Sequence, residues 1–150
     1  MAYFSRSRCR EWALQFLYQG EFAGQRGREE VSRFWRHFRK EDEVPAYLEE
    51  LVDGVASHLE ELDALIVRYS EHWRLERMGV VDRNLLRLAA YELLYQPGVP
   101  PKVIINEAVE LAKRYGTEAS GAFVNGILDR IRLAVGREIS EPGFPAKGPE

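Results

Sequence analysis

The spacing of apolar residues constrains this chain more than any other feature of it. Cys9, Trp12, Ala13, Phe16 and Leu17 recur at intervals of three and four, which predicts an amphipathic helix with Gly20 and Gly24 as its stops. Val31, Phe34, Trp35 and Phe38 repeat the pattern in a second, short amphipathic segment. After Pro45, the series Leu48, Leu51, Val52, Val55, Leu59, Leu62 and Ile66 predicts a single helix of about five turns. Asp82 stands as an N-cap before Leu85, Leu86, Ala89, Ala90, Leu93 and Leu94. Pro97-Gly98 closes that helix and Pro100-Pro101 opens the next, because proline fits only the first turn. Ile104, Ile105, Ala108, Val109, Leu111, Ala112 and Tyr115 then run to Gly116, read as a left-handed cap. Phe123, Val124, Ile127, Leu128, Ile131 and Val135 form the last helix, entered through Thr117 or Ser120. No stretch alternates with period two between turn signals, so no strand is placed.

The expected fold is all-α: a compact helical domain over residues 1–136, built of two packed three-helix bundles. The N-terminal bundle covers about 5–70 and the C-terminal one about 82–136, with the break near Arg74–Val81, where Met78-Gly79 interrupts the pattern. Residues 137–150 are rich in proline and glycine without apolar periodicity, and are expected to form a flexible, disordered tail. A chain of 150 residues buries enough surface to fold without disulfides or metal. Its 45% hydrophobic and 30% charged content excludes a wholly disordered or collagen-like chain. No apolar run is long enough to cross a bilayer, and no apolar segment follows the N-terminal arginines as a secretory signal requires. With a single cysteine, Cys9, the expected compartment is the cytoplasm.

The net charge of −3 is unevenly spread. Residues 1–40 hold nine Lys/Arg against four Asp/Glu, whereas residues 41–66 hold nine acids and no base. A basic head beside an acidic helix can bind a polyanion although the chain as a whole is acidic. Catalytic constellations are missing. His37, His58 and His72 are isolated, so neither a His-Glu-x-x-His nor a Glu-x-x-His metal helix is present, and no metal site or cofactor is expected. Cys9 lies on an apolar face, which favours a buried small hydrophobe over a nucleophile. No phosphate-cradling glycine loop occurs, and the paired acids Glu49/Glu50 and Glu60/Glu61 are adjacent and solvated. A non-enzyme is expected.

The run from Ser5 to Gln19 is basic first and amphipathic immediately after. Arg6, Arg8 and Arg10 suit phosphate or base contacts, since guanidinium forks engage phosphates bidentately. Tyr18, about two helical turns beyond Arg10, offers a stacking surface, and Gln15 a hydrogen-bonding one. An exposed arginine arm over a core tyrosine explains the same residues equally well.

Four segments are recognisable in wording: Arg10-Glu-x-Ala-Leu-Gln-Phe-Leu-Tyr-Gln, Asp82-Arg-x-Leu-Leu-Arg-Leu-Ala-x-Tyr-Glu-Leu, Pro101-x-Val-Ile-Ile-Asn-Glu-Ala-Val-Glu-Leu-Ala-Lys-x-Tyr-Gly and Phe123-Val-Asn-Gly-Ile-Leu-Asp. Together they resemble the NusB family of transcription antitermination factors, from about Arg6 to Ile131. Residues 20–80 match mainly in pattern, and the tail after Gly136 matches nothing. The resemblance implies two three-helix bundles, pairing with the ribosomal protein NusE, and binding of single-stranded boxA RNA from ribosomal RNA leaders. It also implies action within the RNA polymerase antitermination complex. Related domains are fused to ribosomal RNA cytosine methyltransferases, and no such catalytic domain is expected within these 150 residues. Asp82 and Arg87 are carried over from the family motif as further RNA-binding candidates. Asn106, read as lying on a buried helix, and Gly126, read as a close helix contact, are taken as structural.

For the protein partner, the acidic stretch Glu41 to Asp63 suits a basic protein, and docking is expected around Glu118, Ser120, Ala122 and Phe123. Phe123 fits the core as readily. An exposed apolar helix face would serve a homodimer or the partner protein. A helical protein-interaction scaffold that does not bind RNA is the competing reading, and a small helical metalloenzyme ranks far below it.

Overall fold

The computed structural model describes residues 4–23, 28–71 and 73–140. These residues form seven α-helices and no strand: α1 (Arg6–Ala23), α2 (Arg28–Arg39), α3 (Ala46–Ser57), α4 (Leu59–Tyr69), α5 (Val80–Tyr95), α6 (Pro101–Tyr115) and α7 (Ser120–Ser140), with a single 3-10 turn at Leu75–Arg77 before α5. The all-helical expectation therefore holds, with differences at the joints that follow from packing.

The long helix expected after Pro45 is broken at His58, whose backbone (φ −118°, ψ 23°) ends α3 and starts α4. The apolar series runs on through the break because both helices turn their faces to the same core. Leu48, Leu51, Val52, Val55, Leu62 and Ile66 are all buried. The His58 ring stacks on Tyr95 of α5 with centroids 4.3 Å apart, which holds the corner against the central helix. Gly54 matters for the same packing, since a Cβ there would stand 2.2 Å from the Tyr91 ring.

α5 is the centre of the molecule. It touches α1, α3, α4, α6 and α7, and nearly all of it from Asn84 to Leu94 is buried. One apolar cluster runs from Cys9 and Trp12 through Val52, Leu85 and Ile104 to Leu128 and Ile131, so both halves of the chain share it. α1 packs across both α3 and α5, which leaves its opposite face to solvent.

Several caps differ from expectation. Gly79, not Asp82, is the N-cap of α5, and Asp82 lies in the first turn, where a carboxylate still favours the positive helix end. Gly116 ends α6 in extended conformation (φ −99°, ψ −157°) instead of a left-handed cap. α1 continues through Gly20, which is buried within it, and Gly24 lies outside the described residues. Lys40 and Glu71 supply left-handed turns instead (φ 58° each), just after α2 and α4. Asn106 is exposed and needs no buried partner, and Gly126 faces open space. α7 extends to Ser140, beyond the expected start of the tail, and residues 141–150 lie outside the described residues.

Candidate nucleic-acid interface

The candidate interface lies on the outer face of α1. Ser5 starts the helix: its hydroxyl accepts the Arg8 N–H at 3.2 Å and its carbonyl accepts the Cys9 N–H at 3.1 Å. The first turn holds no acid, so its arginines add to the positive end of the helix dipole. Arg8, Glu11, Gln15 and Tyr18, spaced by three, four and three, share one face, whereas Arg6 and Arg10 point to another.

The structure separates the expected arginines. Arg8 is exposed and lies 4.8 Å from the Trp12 ring centroid, on the same side as Gln15 and Tyr18. Arg6 is exposed around the helix, 4.9 Å from the Tyr47 ring. Arg10 is only 5% exposed. Its Nε and Nη2 each donate to a Glu92 oxygen at 2.8 Å, and Glu107 stands 3.5 Å from its third nitrogen. Burial alone would lower the Arg10 pKa, but Glu92 outweighs it and the net shift is upward. The Tyr47 hydroxyl donates to the same carboxylate, and burial followed by Glu92 pushes the phenol far above its ordinary range.

Arg87, 6% exposed, is likewise internal. It donates to both Asp63 oxygens at 2.8 and 3.0 Å, to Glu21 at 3.0 Å and to the Asn84 side-chain amide oxygen at 3.2 Å. Glu21 also accepts from Arg83 at 2.9 Å. Burial would raise the Glu21 carboxyl, but the guanidinium groups of Arg83 and Arg87 hold it below the usual carboxylate range. Arg10 and Arg87 thus join helices, and Asp82 is half-buried in the first turn of α5.

Gln15 and Tyr18 border a groove of about 430 Å³ between α1, α2 and the end of α6. Leu14, Phe34 and Val81 line it, together with two aromatics that the sequence places only at the ends of apolar stripes, Phe38 and Tyr115. Tyr18, Phe38 and Tyr115 are 44%, 45% and 40% exposed, so three rings face solvent around one hollow. Phe38 stacks on Phe34 with centroids 5.2 Å apart and planes 10° from parallel. Tyr115 is held from α1, where Glu11 accepts both its hydroxyl and, at 3.1 Å, the Arg114 guanidinium. The Oε1 of Gln15 is covered and finds no donor among the described residues. The available signal was position. Phe38 and Tyr115 end their apolar stripes in last turns flanked by arginines, where a stripe runs off the core.

At the other candidate surface, Glu118 and Ala122 are exposed. Ser120 is buried, and its hydroxyl accepts the Thr117 N–H at 2.9 Å, which fixes the α6–α7 linker. Phe123 is half-buried against the core, with its ring edge-on to the exposed Trp73 at 6.3 Å. Cys9 is buried and desolvation pushes its thiol up, away from nucleophilic use. His37 is exposed, and His72 lies outside the described residues. Among the described residues no group of three or more His, Cys, Asp or Glu could hold a metal ion, and no helix is long and apolar enough to cross a membrane.

The chain as a whole is similar to known proteins. The pattern of the NusB family matches residues 7–132. The transcription antitermination protein NusB of Sorangium cellulosum (strain So ce56) is 53% identical over 133 residues, covering 89% of this chain and 95% of that protein. The solved structure of T. maritima NusB superposes with a TM-score of 0.78 at 41% identity, covering 88% and 93% of the two chains. A crystal structure of the antitermination factors NusB and NusE in complex with dsRNA matches with a TM-score of 0.74 at 31% identity, covering 87% and 99%.

Proposed function

The chain belongs to the NusB family, and from that premise we propose that it is a transcription antitermination factor that recognises single-stranded boxA-type RNA on the outer face of α1. It acts without catalysis of its own, together with the NusE ribosomal protein, within the RNA polymerase antitermination complex. The observation that carries this reading is the exposed aromatic groove beside Arg8, Gln15 and Tyr18. Unstacked bases need flat rings to lie on, and Tyr18, Phe38 and Tyr115 offer three around one hollow. The covered Gln15 carbonyl is an acceptor that a small rotation would present to a base-edge amine. Arg6 and Arg8 supply the phosphate contacts, and Asp82, which follows the groove residue Val81 in the chain, is the remaining candidate. Arg10 and Arg87 act indirectly, by holding α1 and α5 in register.

NusE docks in this reading across the exposed linker at Glu118 and the small residue Ala122, next to the Phe123–Trp73 pair, with buried Ser120 keeping the linker in shape. The competing scaffold reading is not favoured, because the similar chain in the solved NusB–NusE structure is found in complex with dsRNA as well as with a protein. The test is the affinity of a boxA-like single-stranded RNA for the wild type and for Tyr18→Ala, with and without NusE. Equal affinities in both conditions would overturn the reading. Ala122→Arg is expected to fold normally and to lose NusE alone.

A further inference from the structure

Arg39, at the end of α2, was singled out by no sequence motif, yet it lies beside the arm. Its guanidinium carbon stands 5.2 Å from the Trp12 ring centroid and 5.6 Å from those of Phe4 and Trp35. Arg8 reaches the same Trp12 ring from α1 at 4.8 Å. Two guanidinium groups from different helices are therefore held against one indole, and neither has a carboxylate partner among the described residues. Like charges gathered without a counter-ion repel each other, and cation–π contact only partly offsets this. An anion would complete the arrangement.

The rings make it a fixed feature. Phe4, Trp12 and Trp35 pack edge to face at 4.9–6.0 Å, and Trp35 is fully buried, so the platform under the two arginines is rigid. Lys40 turns left-handed immediately after Arg39 and ends α2 there, with its N–H on the Arg36 carbonyl at 2.9 Å. The acids of the following loop, Glu41, Asp42 and Glu43, are exposed and form no ion pair with Arg39.

We propose that Arg8 and Arg39 form a phosphate clamp, seated on the Trp12 ring, which grips the backbone of the single-stranded RNA and brings α2 into the RNA interface. The inference rests on the reading of α1 as an RNA surface and adds a partner helix to it. Planar forks already stacked on a ring lose little freedom when they engage a phosphate, which makes arginine, not lysine, the suitable residue.

The test measures affinity for a boxA-like single-stranded RNA at several salt concentrations. Arg39→Ala is expected to weaken binding several-fold and to lower the slope of log affinity against log salt by about 0.7, the share of one phosphate contact on a single strand. Arg39→Lys should restore the slope but not the whole affinity. Because Arg39 also covers aromatic surface, Arg39→Met serves as a second variant that keeps an apolar stem over the rings while removing the charge. Loss of slope in Arg39→Met with an unchanged melting temperature supports the clamp. Wild-type affinity and slope in Arg39→Met, in a protein where Tyr18→Ala still weakens RNA binding, would overturn it and leave the RNA surface standing. If Tyr18→Ala and Arg8→Ala are also without effect, the RNA reading falls and the clamp with it.

Discussion

The two sides of α1 use the same residue type for opposite ends. On the inner side, Arg10 is closed in a bidentate pair with Glu92, with Tyr47 and Glu107 completing the cage, and Arg87 on α5 is closed in the same way by Asp63 and Glu21. On the outer side, Arg8 and, from α2, Arg39 rest on aromatic rings, and neither forms an ion pair with a described carboxylate. What separates them is the supply of carboxylates. The central helix brings Glu92 to α1, and no described acid reaches the Trp12 platform. An arginine with a buried carboxylate is a strut, and an arginine on a ring is a free hand.

This contrast can be broken from either side. The largest effect is expected from Glu92→Ala, which leaves the Arg10 charge buried without a partner. A loss of about 3–5 kcal/mol in denaturant unfolding is expected, and a loss below 1 kcal/mol would mean the inner pair is not a strut. Next comes Tyr18→Ala, which should leave stability nearly unchanged and weaken RNA binding by about 1–3 kcal/mol, the value of one base stacked on an aromatic ring. Titration calorimetry or anisotropy reads it directly. A smaller effect is expected for Phe38→Ala, whose ring is one of three around the groove: weaker RNA binding, by about 1 kcal/mol, with intact helical dichroism. The smallest is confined to acid. The Glu21 carboxyl is held below its ordinary value of 4.5 by Arg83 and Arg87. Its contribution is therefore fully present above that value and is lost as pH falls through its lowered folded value. Stability measured from pH 7 downward should fall less steeply in Glu21→Gln than in the wild type once pH drops below about 4.5.

Much of the fold was legible because helical burial is periodic. Trp12, Phe16, Leu85, Leu86, Ile104, Leu128 and Ile131 were placed in the core by spacing, and all are buried. The joints were less legible. The corner at His58 leaves no trace in the apolar series, because α3 and α4 face one core and the phase of the pattern survives the break. Gly116 and Asp82 were given local roles that the neighbouring turn performs differently, which local chemistry alone does not distinguish. On the candidate surface, Arg8, Gln15 and Tyr18 lie together as their spacing requires, whereas Phe38 and Tyr115 were read only as members of apolar stripes. They continue an apolar stripe past the point where the partner helix ends, and a sequence does not say where that point lies.

The sequence by itself determined an all-α chain, the positions of most helices, the buried thiol and the amphipathic register of α1, because each depends on residues within a few turns of one another. It also carried the family, through segments whose wording is shared with NusB proteins over residues 7–132. Only the tertiary structure decided which arginines are available. Arg10 lies 82 positions from Glu92 along the chain, and Asp63 lies 24 from Arg87. A charge is silenced or left free by what the fold brings within a few ångströms of it, since the Coulomb term depends on distance in space and not along the chain.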